Sequence, residues 1–529
     1  MKTWRRWLAV LALCVVSSSA PKPSSAQASA GRRARDLIVG LDLDAAGRLL
    51  GGADPDAAAV ALERARLALY EMDCDAASVI LARPDVQAVD DGALVAEIAR
   101  GCSRVTAATT ADRDDALGVD VQWQDERDAP LAPLLVDTVV RAREMLSRDL
   151  GVDWPKPTRV VVVRDSLSLS AMTGLPYASA KTTGTVAVAK WGRVTLLSPR
   201  ATPHGYMWRD TVAHELTHLA VTRASGDRAP LWLQEGVAKY EESRWRSPQP
   251  LDDFPPADAV ARRGIESGQG FALDKLGPSI AMLPTAEAAT VAFAEVTSFV
   301  RFYLTREGEG ALPKLLRAIR DAPNPDAALL SASGADIRSW DARWRAYLAT
   351  QPRDARLLLL IGAAHAKSDP GVVAAYREHR DRARLAELLL SRGHASGATK
   401  ELDRLDVSGP AVPPEIRERR SGDPVLRWLR GLALEQTGGG SDRDSRRLFG
   451  DPRQVLSSYG PWWASRGRWL RGAGDAIEAD RSFSEAVAND PLDSEAACEA
   501  RPGSPASGQR SSDPLCEAAQ NWTDSPFDD

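Results

Sequence analysis

Two histidines four residues apart, in Thr211-Val212-Ala213-His214-Glu215-Leu216-Thr217-His218, place the tightest constraint on how this 529-residue chain can fold. On a helix, residues four apart share a face, so His214 and His218 can present both imidazoles to one point. The sequence supports such a helix. Val212, Leu216 and Leu219 can face a core, and Asp210 or Thr211 can cap its start. Sixteen residues then separate His218 from Glu235, in Pro230-Leu231-Trp232-Leu233-Gln234-Glu235-Gly236-Val237-Ala238-Lys239-Tyr240. Pro230 suits a helix start, and Leu231, Trp232, Gly236 and Ala238 make an apolar helix able to pack closely on the first. Any compact fold that pairs these helices can bring Glu235 to the two imidazoles.

That set of side chains has a specific chemistry. Two imidazoles and one carboxylate leave a fourth position for water, the arrangement of a catalytic rather than a structural zinc. His214, His218 and Glu235 are therefore the candidate metal ligands. Glu215, the next residue round the helix, is the candidate general base. The competing reading is a surface helix that carries two histidines and a solvated Glu235. The chain has only six His, and the second carboxylate-bearing segment weighs against coincidence.

The two segments resemble the gluzincin metallopeptidases, most nearly the bacterial peptidase MA-like domains and more distantly the aminopeptidase N group. The likeness spans roughly residues 119–350. It implies an α+β zincin-like catalytic domain with one catalytic Zn²⁺ held by His214, His218 and Glu235, and with Glu215 activating a zinc-bound water. It puts residues 194–198 in the place of the substrate-binding edge strand. Helices near 291–304 and 312–319, closed by Trp340 and Trp344, complete the resemblance. Two departures qualify it. No Gly-x-Met-Glu-Asn string occurs, so aminopeptidase activity is unsupported and an endopeptidase is implied. Phe293 stands where MA-like domains often carry a Tyr; Tyr240 and Tyr303 could substitute, although packing is the default for both. His204 reads as a loop residue, and His365, His379 and His394 as solvated or core residues.

The rest of the chain sets the context. Lys and Arg number 67 against 72 Asp and Glu, a net charge of -5, which gives no reason to expect nucleic acid as a partner. Residues 1–30 read as a secretory signal peptide: Lys2, Arg5 and Arg6 precede an apolar run over 7–16 that is too short to span a bilayer. Small-x-small cleavage signals follow at Ala26-Gln27-Ala28 and Ala28-Ser29-Ala30. Leu13 before Cys14 argues against a lipid anchor, so the expected location is periplasmic or secreted, with no transmembrane segment in the mature chain. Four cysteines remain and permit three pairings; the local ones, Cys74–Cys102 and Cys498–Cys516, close the shortest loops.

Residues 31–117 read as a helical, repeat-like region with a polar joint over 112–118. Residues 118–350 form the catalytic unit: a helix ending at Gly151, a buried strand over 158–163, and a hairpin from strands 185–189 and 194–198. Residues 351–499 look like tetratricopeptide-like helical repeats. Trp463, Gly467, Leu470, Ala479, Phe483, Ala486 and Pro491 form the clearer copy, and Leu385, Ala386, Leu389, Ala398, Leu402 and Pro410 a weaker one. Residues 500–529 read as a disordered tail. The function expected is an exported zinc metallopeptidase acting on a peptide or protein substrate, with a possible protein partner on the repeats. The alternative is a catalytically weak or inactive peptidase-like domain serving as a peptide-binding repeat scaffold.

Overall fold

The computed structural model describes residues 25–154, 156–202, 205–246, 256–276, 279–352, 370–406, 423–438, 448–450, 460–491, 493–499 and 514–524. Expectations for residues 1–24, His204, His365 and Pro410 lie outside the described residues.

Helices come first: α1 (Ser25–Val39), α2 (Leu43–Gly51), α3 (Ala58–Tyr70), α4 (Cys74–Ile80), α5 (Pro84–Gln87) and α6 (Gly92–Thr106). α1 begins inside the stretch expected to be cleaved. The polar joint expected over 112–118 is partly a strand. β1 (Thr110–Asp114) pairs antiparallel with β2 (Val119–Trp123), so a boundary at 117/118 would cut a hairpin. Its sequence, Thr-Ala-Asp-Arg-Asp, is largely exposed and reads as loop because it is a charged edge strand.

After β2 come α7 (Ala132–Leu150), β3 (Thr158–Val163), α8 (Ser166–Thr173), α9 (Tyr177–Thr183), β4 (Ala187–Lys190) and β5 (Arg193–Leu197). Gly151 ends α7 at φ 65°, the left-handed geometry that a C-terminal glycine supplies. The sheet order is β1-β2-β3-β5-β4, with β2, β3 and β5 parallel. Parallel strands buried on both faces need apolar side chains on both. The valine run of β3 meets that need: Val160 and Val162 pack in one core, Val161 and Val163 in another. The hairpin closes through Trp191 (φ 57°) and Gly192 (φ 70°), a two-residue turn with both positions left-handed. One expectation needs correcting. Residues 194–198 do not form an edge; β5 is enclosed between β3 and β4, and β4 is the edge.

The remaining helices are α10 (Trp208–Ser225), α11 (Leu231–Glu241), α12 (Ala257–Glu266), α13 (Ala286–Glu307), α14 (Ala311–Asp321), α15 (Pro325–Ser333), α16 (Ile337–Thr350), α17 (Pro370–Ser391), α18 (Ala395–Asp406), α19 (Pro424–Thr437), α20 (Gly460–Gly472), α21 (Ala476–Asn489), α22 (Ser494–Glu499) and α23 (Pro514–Asp524). α20 and α21 form a close pair; a Cβ on Gly467 would meet the Phe483 ring at 2.9 Å. In the weaker copy Ala386, Ala398 and Leu402 are buried, whereas Leu385 is exposed. α23 lies within the stretch expected as disordered tail. Cys516 ties it to Cys498, and Leu515 packs on the large core. The second bridge, Cys74–Cys102, joins α4 to α6.

α21 also reaches the start of α10. The Trp208 indole donates to the Val487 carbonyl at 3.1 Å, and Tyr206 N–H to that of Asn489 at 2.7 Å. Arg246 pairs with both Asp210 and Glu485. Asp210 is thus buried inside the first turn of α10, not its cap, and Met207 holds the cap position.

Gly236 sets the spacing between α11 and α13. A Cβ there would meet Val300 Cγ2 at 2.5 Å and the Val296 carbonyl oxygen at 2.7 Å. Gly236→Ala is therefore expected to destabilise the fold by about 1–3 kcal/mol through overpacking, read as a lower melting temperature. An unchanged melting curve would show that the helices do not depend on this approach.

Candidate functional site

α10 is buried on most sides, against α7, α11, α14 and the β4–β5 hairpin. Its i, i+4 spacing puts His214 and His218 on one face, with ring centroids 4.9 Å apart. α11 packs across that face and delivers Glu235. Glu235 Oε2 lies 3.6 Å from His214 Nε2 and 3.5 Å from His218 Nε2. Tetrahedral zinc with bonds of about 2.0–2.1 Å places neighbouring donors about 3.4 Å apart. The donor set therefore fits such an ion.

Glu215 is also near. Possible ligand atoms of His214, Glu215 and His218 all lie within 4.8 Å of one another. The choice between the two carboxylates follows from their contacts. Glu235 Oε2 faces both Nε2 atoms, whereas Glu215 Oε2 accepts the Ala189 N–H of edge strand β4 at 2.5 Å. Glu235 is thus the carboxylate positioned as a ligand, and Glu215 sits beside the site, held by the edge strand.

Both histidines are oriented from behind. His214 Nδ1 is 3.3 Å from Glu242 Oε2, and Glu242 in turn pairs with Lys239. His218 Nδ1 is 3.3 Å from Gln234 Oε1, whose amide donates to Thr222. Such partners fix the ring and leave Nε2 for a metal. Glu242 and Gln234 were not singled out from sequence. The available signal was spacing: Glu242 follows Glu235 by seven residues, two helical turns, and so shares its side of the helix.

The charges are mutually dependent. Burial opposes a charged His214, but the Glu235 and Glu242 carboxylates outweigh it and raise its pKa to about 10. For His218 burial also opposes the charge, and Glu235 again raises the pKa. Burial would push Glu235 up; the two imidazoles hold it well below the usual carboxylate range. Glu242 is held at about 2, by Lys239 and His214 against burial. Glu215 is raised by burial, with the two histidines acting in the opposite direction.

These residues line a cleft of about 830 Å³. Its walls include Gly174, Leu175, Pro176, residues 183–190, Met282 and Phe293. Phe293 faces His214, ring centroids 6.4 Å apart, so the position where a tyrosine was sought presents no hydroxyl. Tyr240 contacts Arg244, and Tyr303 packs on Trp340. Neither lines the cleft. His379 is buried and bonds Asp423 at 2.8 Å, a structural contact, and His394 is exposed.

A metal ion takes up neutral imidazole, so a proton held on His214 must leave. Zinc uptake near neutral pH should release about one to two protons, and apparent affinity should climb as pH rises toward about 10, the metal-free value for His214. Calorimetry in buffers of different ionisation enthalpy measures the release; uptake without release would contradict the arrangement. Glu242→Gln should weaken metal binding about 10–100-fold with the helical signal intact.

No curated protein and no solved structure matches this chain. A family model does: residues 138–350, from within α7 to the end of α16, match the model described as the Peptidase MA superfamily, so this segment is similar to a peptidase domain.

Proposed function

We propose that this protein is an exported zinc-dependent metallopeptidase of the gluzincin type, acting as an endopeptidase. One observation carries the reading: His214, His218 and Glu235 converge at donor separations of 3.5–3.6 Å, with Glu215 of α10 beside them and bonded to edge strand β4. When bound, a zinc ion supplies Lewis-acid polarisation of a carbonyl oxygen and activation of water.

The chain's own residues supply the rest. His214, His218 and Glu235 hold the ion. Glu215 takes a proton from the attacking water and returns it to the leaving amine; a carboxyl raised by burial suits a group that must do both. Ala189 N–H fixes that carboxylate. Val186 O bonds to Leu197 N, so residues 186, 188 and 190 turn their backbone toward β5, and Ala187 and Ala189 turn theirs to the open side. An extended peptide adds there as a further strand.

Export is supported by the charged and apolar pattern of residues 2–16 and by the two disulfides. Among the described residues no helix is long and apolar enough to cross a membrane. The helical flanks, residues 31–117 and 351–499, are read as repeat-like surfaces for a protein partner.

Phe293 favours a second reading, in which the cleft binds peptide with weak turnover or none, because the ring lining the cleft offers no hydroxyl to a developing oxyanion. Glu215→Gln separates the two. It should fold and hold zinc as wild type does, yet lose about 10²–10⁴-fold in turnover of a casein-type substrate. Equal cleavage by both proteins contradicts the role of Glu215. Peptide binding by both with cleavage by neither establishes the second reading.

A further inference from the structure

We propose that Lys190 makes this cleft selective for peptides that carry a carboxylate within about two residues of the scissile bond; the inference rests on the peptidase reading above. Seven charged or ionisable side chains line the cleft: Lys190, His214, Glu215, His218, Glu235, Lys239 and Glu242. Six are engaged at the centre, through the His–Glu235 contacts, the Ala189 contact of Glu215 and the Lys239–Glu242 pair. Lys190 is not. Its side chain makes no ion pair or hydrogen bond with any described residue and lies over the Trp191 ring, Nζ 5.3 Å from the centroid. Nearby bulk lowers its pKa by desolvation, with no carboxylate acting in the other direction. An exposed but partly desolvated cation whose contact is an aromatic ring, at the wall of the cleft, lacks a counter-ion that a ligand can bring.

The strand geometry says where that counter-ion falls. Lys190 follows Ala189, whose N–H touches Glu215, so it is one residue from the proposed catalytic base. Ala187 and Ala189 face the α10 side of the sheet, with Val194 and Leu196 opposite them. Val188 and Lys190 therefore face the other side, toward the α8–α9 loop at Gly174, Leu175 and Pro176. An antiparallel peptide bonded to Ala187 and to the Ala189 carbonyl, whose N–H stays on Glu215, meets Lys190 in a non-hydrogen-bonded pair. There Cα atoms approach to about 4.5 Å and side chains share a face. Opposite charges so placed attract. The cleft residues near it, Gly174, Leu175, Pro176 and 183–186, are uncharged, and Arg193, opposite Lys190 on the same face, is fully buried and held by the Leu69 and Met172 carbonyls.

The carboxylate can belong to an acidic side chain or to a peptide's free C-terminus, and the test separates them. Eight-residue peptides with one Glu scanned along the chain, their Gln counterparts, and C-terminal acid and amide forms are titrated into zinc-loaded Glu215→Gln protein, which should hold them uncut. A Glu at one position, or a free C-terminal acid, should tighten binding by up to about fivefold. The preference should vanish in Lys190→Met, persist in Lys190→Arg and turn toward Lys-containing peptides in Lys190→Glu, while neutral peptides bind all four alike. Loss of the preference on amidation alone assigns the C-terminus; survival assigns the side chain. Binding without dependence on residue 190, or no peptide binding, overturns the proposal. Cleavage by the otherwise wild-type chain is assayed in parallel. Turnover without a residue-190 preference sinks this inference alone, and a preference without turnover sinks only the peptidase reading.

Discussion

The structure turns on a carboxylate buried between two imidazoles. Taken singly, Glu235, His214 and His218 would each be costly to bury charged, because the interior cannot replace their hydration. Together each stabilises the others, and Glu242 and Lys239 extend the pairing outward. The arrangement survives only if two helices meet at a fixed distance. α10 is therefore enclosed on most sides, and α11 carries a glycine directly after Glu235 so that it can lie against α13. Packing and electrostatics are one problem here: a helix displaced by an ångström strands three ionisable groups in the core.

The surrounding layers serve that requirement. The sheet supplies the floor under α10 and brings β4 to the edge, where one backbone N–H holds Glu215. Arg193 secures the hairpin from the opposite face. Its guanidinium is fully buried, donates to the Leu69 and Met172 carbonyls near the ends of α3 and α8, and is pulled by burial to about 10. The N-terminal helices are thereby tied to β5, the hairpin partner of the strand that lines the cleft. From the other side α21 meets the start of α10 through Trp208 and the Asp210–Arg246–Glu485 chain. Both flanking regions thus contact the elements that position the His–Glu centre.

Local signals in the sequence were sufficient for the centre itself. The i, i+4 histidines and the apolar segment around Glu235 each lie on one helix, and the valine strand and the hairpin announce themselves through β-branched runs. What could not be read depends on partners distant in the chain. The family resemblance put residues 194–198 at the sheet edge; β3 pairs with them, which moves the edge to Ala187–Lys190. β1 is polar because it is an edge, so its residues resemble a loop. Glu242 is an ordinary helix-end carboxylate until α10 brings His214 to it. The helix Pro514–Asp524 stands in Pro- and Ser-rich surroundings, and its place is fixed by Cys516 and Leu515 rather than by its own periodicity.

The central claim is that two imidazoles and one carboxylate hold a single zinc. X-ray absorption at the zinc edge of the purified, zinc-loaded protein tests it most directly. The account predicts about one zinc per chain, bound by light N and O atoms at about 2.0–2.1 Å with two imidazole signatures and no sulfur. In Glu235→Gln the centre should lose the ion or change its oxygen shell. A protein that remains metal-free after zinc loading, or whose zinc shows sulfur ligands at about 2.3 Å, would contradict it.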